Sequence, residues 1–321
     1  MPPSPKLPPP SSSSQPYCDV YVLHGGNIEI PSTLVLAESD GGREDEPLLI
    51  PCLSFLLVHS KSKKTFLFDL GVSENWKECY PPAVQKLMKI APFRVDVAPG
   101  RDVNATLGTE KIDEIDYICL SHFHWDHVGD TKPFIDNRRS VFVVGKETLE
   151  LVERGYPKNQ EAYVSGELLP FSPSNERILA LSPTGANGNP QEWAPIGPFP
   201  YALDFFKDGS LYIVDAPGHC PGHINVLART SSDGGWVYLG GDSAHSRKLI
   251  LRESPDKVEV PVDWRLGCVH MDKEASEDTM RRIREVWGLP RVRVMIAHDT
   301  EWYEENKDVR ESWWPEKLPS L

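Results

Sequence analysis

Short apolar runs with strand character recur along the chain in two groups, separated by a long polar interval. Val20–Leu23, Leu53–His59, Thr65–Asp69, Tyr117–Leu120 and Val141–Val144 form the first group. They are rich in β-branched and aromatic residues and are bounded by turn formers, as strands are. A helix is predicted over Lys146 to Arg154, with Gly155 as its stop. Ala202–Phe206, Leu211–Val214, Asn225–Arg229, Val237–Leu239 and Val292–Ile296 form the second group. Between Lys273 and Trp287 the period becomes helical. Met280, Ile283 and Trp287 share one face there, and Gly288 and Pro290 end the helix. Two halves of similar make-up predict a sandwich of two related sheets. The interval Tyr156 to Tyr201 is rich in Pro and Gly and weakly periodic. Its aromatic residues Tyr156, Tyr163, Phe171, Trp193 and Phe199 predict a packed, substrate-facing loop. Trp76 to Leu107, with Met88, Ile90 and Phe93, is a second candidate wall.

Composition narrows the class. Hydrophobic residues at 40% and charged residues at 25% of 321 are ordinary for a globular protein, and no apolar run approaches the roughly 20 residues of a membrane span. Residues 1–16 are almost entirely Pro and Ser, without the apolar segment of a secretory signal, and are predicted as a disordered tail. Residues 17–321 are predicted to form one domain. The six scattered cysteines contain no Cys-x-x-Cys pair, which suits reduced thiols and a cytoplasmic location. A sequon at Asn104 has no meaning without secretion. A net charge of −13 argues against a nucleic-acid partner, which needs a basic footprint. The densest basic run, Arg281-Arg282-Ile283-Arg284, lies on the predicted helix, where it reads as a solvated face. A second copy of the chain, in a homodimer, is the one macromolecular partner considered.

The chemistry concentrates at His122-Phe123-His124-Trp125-Asp126-His127, directly after a predicted strand. The chain holds only ten histidines, so three imidazoles and a carboxylate in six positions point to metal binding. In extended chain His122 and His124 face the same way, while Asp126 and His127 come round on the following turn. That geometry suits two neighbouring ions better than one. Later strands also end at ligand-type residues: Leu211–Asp215 leads to His219 and His223, Trp236–Gly241 to Asp242, and Arg291–Ala297 to His298.

The series His122, His124, Asp126, His127, His219, Asp242 and His298 resembles the full ligand set of the metallo-β-lactamase superfamily, over about Val20 to Thr300. The resemblance implies an α/β (α+β) fold, a four-layer αββα sandwich. It also implies two divalent ions, zinc above all, with His122, His124 and His219 on one and Asp126, His127 and His298 on the other. Asp242 would bridge them. A hydroxide shared by the ions would then attack an ester-like or amide-like carbonyl. Asp69, in Phe68-Asp69-Leu70-Gly71, resembles the family's supporting carboxylate behind the ligands, and would equally serve as an ordinary turn residue. His223 is expected behind the ligands or as a buried, hydrogen-bonded ring. His24, His59 and His270 read as structural or surface residues.

Within the superfamily the chain looks most like the lactonases that open acyl-homoserine lactones, which makes a small-molecule cyclic ester the expected substrate. Those enzymes place a Tyr three residues after the bridging Asp, where this chain has His245. His245 joins Asp126 as a catalytic candidate, as a hydrogen-bond or proton donor to the leaving oxygen, and its departure from the pattern leaves the ring open. A lactam, a cyclic carbamate or a thioester is the alternative substrate class. A mononuclear iron sulfur dioxygenase would use a smaller part of the ligand set, and Asp126, His127 and His298 weigh against it.

Overall fold

The computed structural model describes residues 6–36, 41, 46–90, 93–171, 174, 176–183, 192–251, 260–261 and 268–321. The first half builds β1 (Cys18–Pro31), β2 (Pro47–His59), β3 (Thr65–Phe68), β4 (Arg94–Asp96), β5 (Tyr117–Cys119), β6 (Val141–Gly145) and β7 (Ile178–Leu181). They form a sheet in the order β4-β1-β2-β3-β5-β6-β7, antiparallel from β1 to β3 and parallel from β3 to β7. The second half builds β8 (Trp193–Ile196), β9 (Phe199–Asp204), β10 (Leu211–Asp215), β11 (Ile224–Arg229), β12 (Trp236–Leu239) and β13 (Val292–Met295). These form a sheet in the order β13-β12-β11-β10-β9-β8, in which only β12 and β13 run parallel.

Alternation along each strand feeds two cores at once. In β3, Phe66 and Phe68 point between the sheets, where they meet Ile213, Val226, Val237 and Met295. Leu67 points outward, onto a layer formed by α2 (Pro82–Leu87), α3 (Val103–Ile112), α5 (Lys132–Asp136) and α6 (Thr148–Glu153). Beyond the second sheet lie α7 (Arg247–Ile250) and α8 (Lys273–Trp287), whose Leu249, Ile250, Met280 and Ile283 cover Val214, Leu227 and Val294. The layers therefore run helix, sheet, sheet, helix, as expected. The α8 range coincides with the sequence reading. Asp272 caps its first turn by accepting from the Ala275 amide at 3.0 Å, and Gly288 ends it. The start of α8 also fixes a loop: Met271 N donates to His219 O and Asp272 N to Gly218 O, both at 2.9 Å.

Two expectations change. Residues 6–16 of the expected tail make contacts with the second half, and residues 1–5 lie outside the described residues. Leu7 packs on the second sheet's outer core. The buried Arg229 donates from Nη2 to the carbonyls of Pro8 and Pro9 at 2.7 and 3.0 Å. Proline restricts the free chain, so laying this segment down costs little entropy, and the buried guanidinium needs its acceptors. The interval Tyr156 to Tyr201 is also not one loop, since it supplies β7, β8 and part of β9. Phe199 is buried and Trp193 packs between the sheets, while Tyr163 and Phe171 are exposed. The wall at Trp76 to Leu107 is made of short helices on the first sheet together with its edge strand β4. Met88 and Phe93 pack inward there and Ile90 faces solvent.

Candidate metal centre

Five strand ends converge on one point. β3 leads into Asp69, β5 into Ser121 and His122, β10 into the loop of His219, β12 into Asp242 and β13 into His298. The short helix α4 (Trp125–Val128) carries Asp126 and His127. Backbone bonds lace the ends together: Asp69 N to Cys119 O at 2.9 Å, Leu70 N to His127 O at 2.8 Å, Ile224 N to Ser121 O at 2.9 Å and Ala297 N to Gly241 O at 3.0 Å. Gly71 has φ +62° and lies against Gly25, where a Cβ would collide with the neighbouring backbone. Glycine is required at that close approach.

All seven sequence-derived ligands meet here, in two sets that share Asp242. In the first, His219 Nε2 lies 3.2 Å from His122 Nε2 and 2.9 Å from His124 Nδ1. Asp242 Oδ2 stands 3.6 and 3.5 Å from His122 and His219. In the second, Asp242 Oδ1 lies 3.0 Å from His127 Nε2 and 3.2 Å from His298 Nε2, and Asp126 Oδ2 is 3.4 Å from His298 Nε2. Every member except the half-buried His124 is buried.

The far sides of the rings are fixed in turn. His127 Nδ1 bonds Asp69 at 2.8 Å, His298 Nδ1 donates to Pro51 O at 2.7 Å, and His122 Nδ1 meets Ser121 Oγ at 2.9 Å. Asp69 also accepts from the Ser121 amide and hydroxyl, so it supports two ligand rings at once. These partners hold the protons on Nδ1 and turn the Nε2 lone pairs inward, which is how ligating histidines are oriented. His223 completes the frame: Nδ1 donates to Ala216 O at 3.1 Å, and Nε2 accepts from the Asp242 amide at 3.2 Å.

The donor set fits cations. Three imidazole nitrogens facing one another share too few protons to satisfy each other. His127 Nε2 and Asp242 Oδ1 are buried and adjacent, yet neither makes a hydrogen bond. Buried polar atoms without partners are costly, and a metal ion resolves them together. Electrostatics set the two groups apart: burial opposes protonation, but Asp242 and the other carboxylates hold His127 and His298 well above the usual imidazole range. Burial, then His127 and His124, holds His122 well below the usual imidazole range, and burial, then His122 and His124, does the same to His219. Burial opposes ionisation of Asp242, but His127, His298 and His245 outweigh it and keep its carboxyl well below the usual range.

His245 is buried beside Asp242, its Nε2 3.2 Å from Asp242 Oδ2 and its ring stacked on His298 at 5.4 Å. His270 is the residue that sequence reading missed. It is buried against His219 and His245, with ring centroids 5.0 and 5.1 Å away, and it bonds Ser276 Oγ through Nδ1 at 3.1 Å. Burial, then His245, pushes His270 down to about 2. No spacing signal ties it to the other histidines. Its nearness to the Asp272 cap of α8, itself bonded to the His219 loop, was the one available clue.

Comparison with known proteins agrees with this architecture. The family model of the metallo-beta-lactamase superfamily matches residues 49–298, and the chain belongs to that superfamily. The cytochrome P450 monooxygenase mpaDE' of Penicillium brevicompactum is 30% identical over 323 aligned residues, covering 93% of this chain and 35% of that protein. This chain thus spans about a third of that relative's length. The gamma-lactamase FDB1 of Fusarium pseudograminearum is 31% identical over 251 residues, covering 75% of this chain and 57% of that protein. The crystal structure of a B. thuringiensis AiiA mutant with N-decanoyl-L-homoserine at its active site superposes with a TM-score of 0.64. It is 18% identical and covers 94% of this chain and 98% of that one. Among the described residues no helix is long and apolar enough to cross a membrane.

Proposed function

We propose that the chain is a dinuclear metal hydrolase that opens a small lactone ring. The observation that carries this reading is Asp242, whose two oxygens face two separate ligand sets. His122, His124 and His219 would hold one ion, Asp126, His127 and His298 the other, and imidazole with carboxylate suits zinc. When bound, such a pair supplies a water acidified toward neutrality and polarises the carbonyl under attack. The chain's own residues do the positioning. Asp69 and Ser121 hold the His127 and His122 rings, Pro51 O holds His298, and His223 holds the Asp242 backbone. His245 stands against Asp242 Oδ2 and is assigned to fixing that carboxylate.

The ring class is supported by the likeness in fold to the AiiA structure that holds N-decanoyl-L-homoserine, the ring-opened form of a lactone, and the lactam alternative by FDB1, described as a gamma-lactamase. A zinc-loaded sample tested on matched five- and six-membered lactones, lactams, cyclic carbamates and a thioester, read by proton release, separates them. Lactones are expected to turn over fastest. Faster lactam opening transfers the assignment to that class, and no hydrolysis across the panel refutes a hydrolase of small cyclic carbonyls.

A further inference from the structure

Beyond the two sets around Asp242, the structure brings together a third group of ligand-type side chains: His219, His245 and His270. A ring nitrogen of each lies within 4.8 Å of a ring nitrogen of the other two, and all three residues are buried, at 1%, 5% and 2% exposure. His219 Nδ1, His245 Nδ1 and His270 Nε2 are each buried without a hydrogen-bond partner. A buried ring nitrogen without a partner is costly, and an ion held by the three rings would satisfy it.

We propose that His219, His245 and His270 form a third cation site beside the dinuclear pair, suited to zinc or another divalent ion that prefers imidazole. The outer contacts of two of the rings are those of ligands. Ser276 Oγ occupies His270 Nδ1 at 3.1 Å, leaving Nε2 for an ion. Asp242 lies 3.2 Å from His245 Nε2 and draws the ring proton to that side, leaving the Nδ1 lone pair free. His219 turns Nε2 toward His122 and His124 and has Nδ1 left over. The floor of the site is rigid. Gly218, at φ +127°, lies so close to the Ser276 backbone that a Cβ would collide with it, and Met271 N is bonded to His219 O.

Two properties follow from the geometry. A dication here faces repulsion from the pair, so it fills last and most weakly. His219 can serve an ion on each nitrogen only as an imidazolate. Filling the third site therefore releases one proton from His219 Nδ1 to solvent.

The inference rests on the dinuclear reading only for the first two ions. The test is the chelator-stripped full-length chain, titrated with zinc in a calorimeter, with bound zinc counted by elemental analysis. The expected result is about three ions per chain, the weakest lost in His270→Leu, leaving two. Saturation of the unaltered chain at two ions overturns the third site alone, as does a His270→Leu chain that still binds three. One ion or none overturns the dinuclear reading with it. If circular dichroism shows that His270→Leu does not fold, Ser276→Ala serves, since it keeps the imidazole but frees its orientation. It is expected to weaken only the third ion, about 10–100-fold, and an unchanged affinity overturns the proposal.

Discussion

Asp69 Oδ2 lies 2.8 Å from His127 Nδ1, at the end of β3 and in the left-handed backbone region with φ +59°. Few non-glycine residues adopt that conformation, although Asp tolerates it better than most. The strain places the carboxylate where it also accepts from the Ser121 amide and hydroxyl. One side chain thus orients both the His127 ring and, through Ser121, the His122 ring.

Asp69→Ala is therefore expected to weaken metal binding about 10–100-fold while every ligand remains in the chain. It should also cost about 1–3 kcal/mol of stability, because the Ser121 amide is left buried without an acceptor. Competition against a chromophoric chelator measures the first and urea denaturation the second. An unchanged zinc affinity would return Asp69 to the role of a turn residue.

His124 and Asp242 separate the two metal positions. His124 belongs only to the first set, so His124→Ala should lose that set's ion and keep the one held by Asp126, His127, Asp242 and His298. Asp242 belongs to both sets, so Asp242→Ala should lose both ions or bind them far more weakly. Both variants should abolish hydrolysis, as the reaction needs the pair. Elemental analysis after gel filtration distinguishes them. Equal loss of metal in the two variants would contradict independent sets with one shared carboxylate.

Sequence made this centre legible because its seven candidate ligands all follow strand ends, four of them within His122 to His127. The strands around it were equally readable, since β3, β5, β11 and β12 are buried on both faces and read as apolar runs. The edges were not. β4, Arg94-Val95-Asp96, has no buried residue and reads as a loop, while β7 is a short, partly exposed apolar run within an interval otherwise rich in Pro and Gly. In β1, pairing with β2 continues past a register shift between His24 and Asn27, where Gly25 and Gly26 interrupt the pattern. His270 stayed hidden for another reason. It joins the site because α8 docks its first turn on the His219 loop, a tertiary contact with no periodic trace.

Asp215 gives the fold a pH dependence away from the metal ligand atoms. It closes β10, and burial, then the neighbouring Glu147, pushes its carboxyl up to about 6. An unfolded Asp titrates near 3.9. Between those values the folded chain holds the proton that the unfolded chain releases. Stability contributed by this group therefore falls as pH rises from about 4 to 6, and the penalty persists above that window. Asp215→Asn removes the charge and should raise stability at pH 7 by about 1–3 kcal/mol, with little effect at pH 3.5. Urea denaturation of both chains in excess chelator, at the two pH values, isolates this effect from metal binding. An equal difference at both values would show that the carboxylate of Asp215 is not what makes the strand end sensitive to pH.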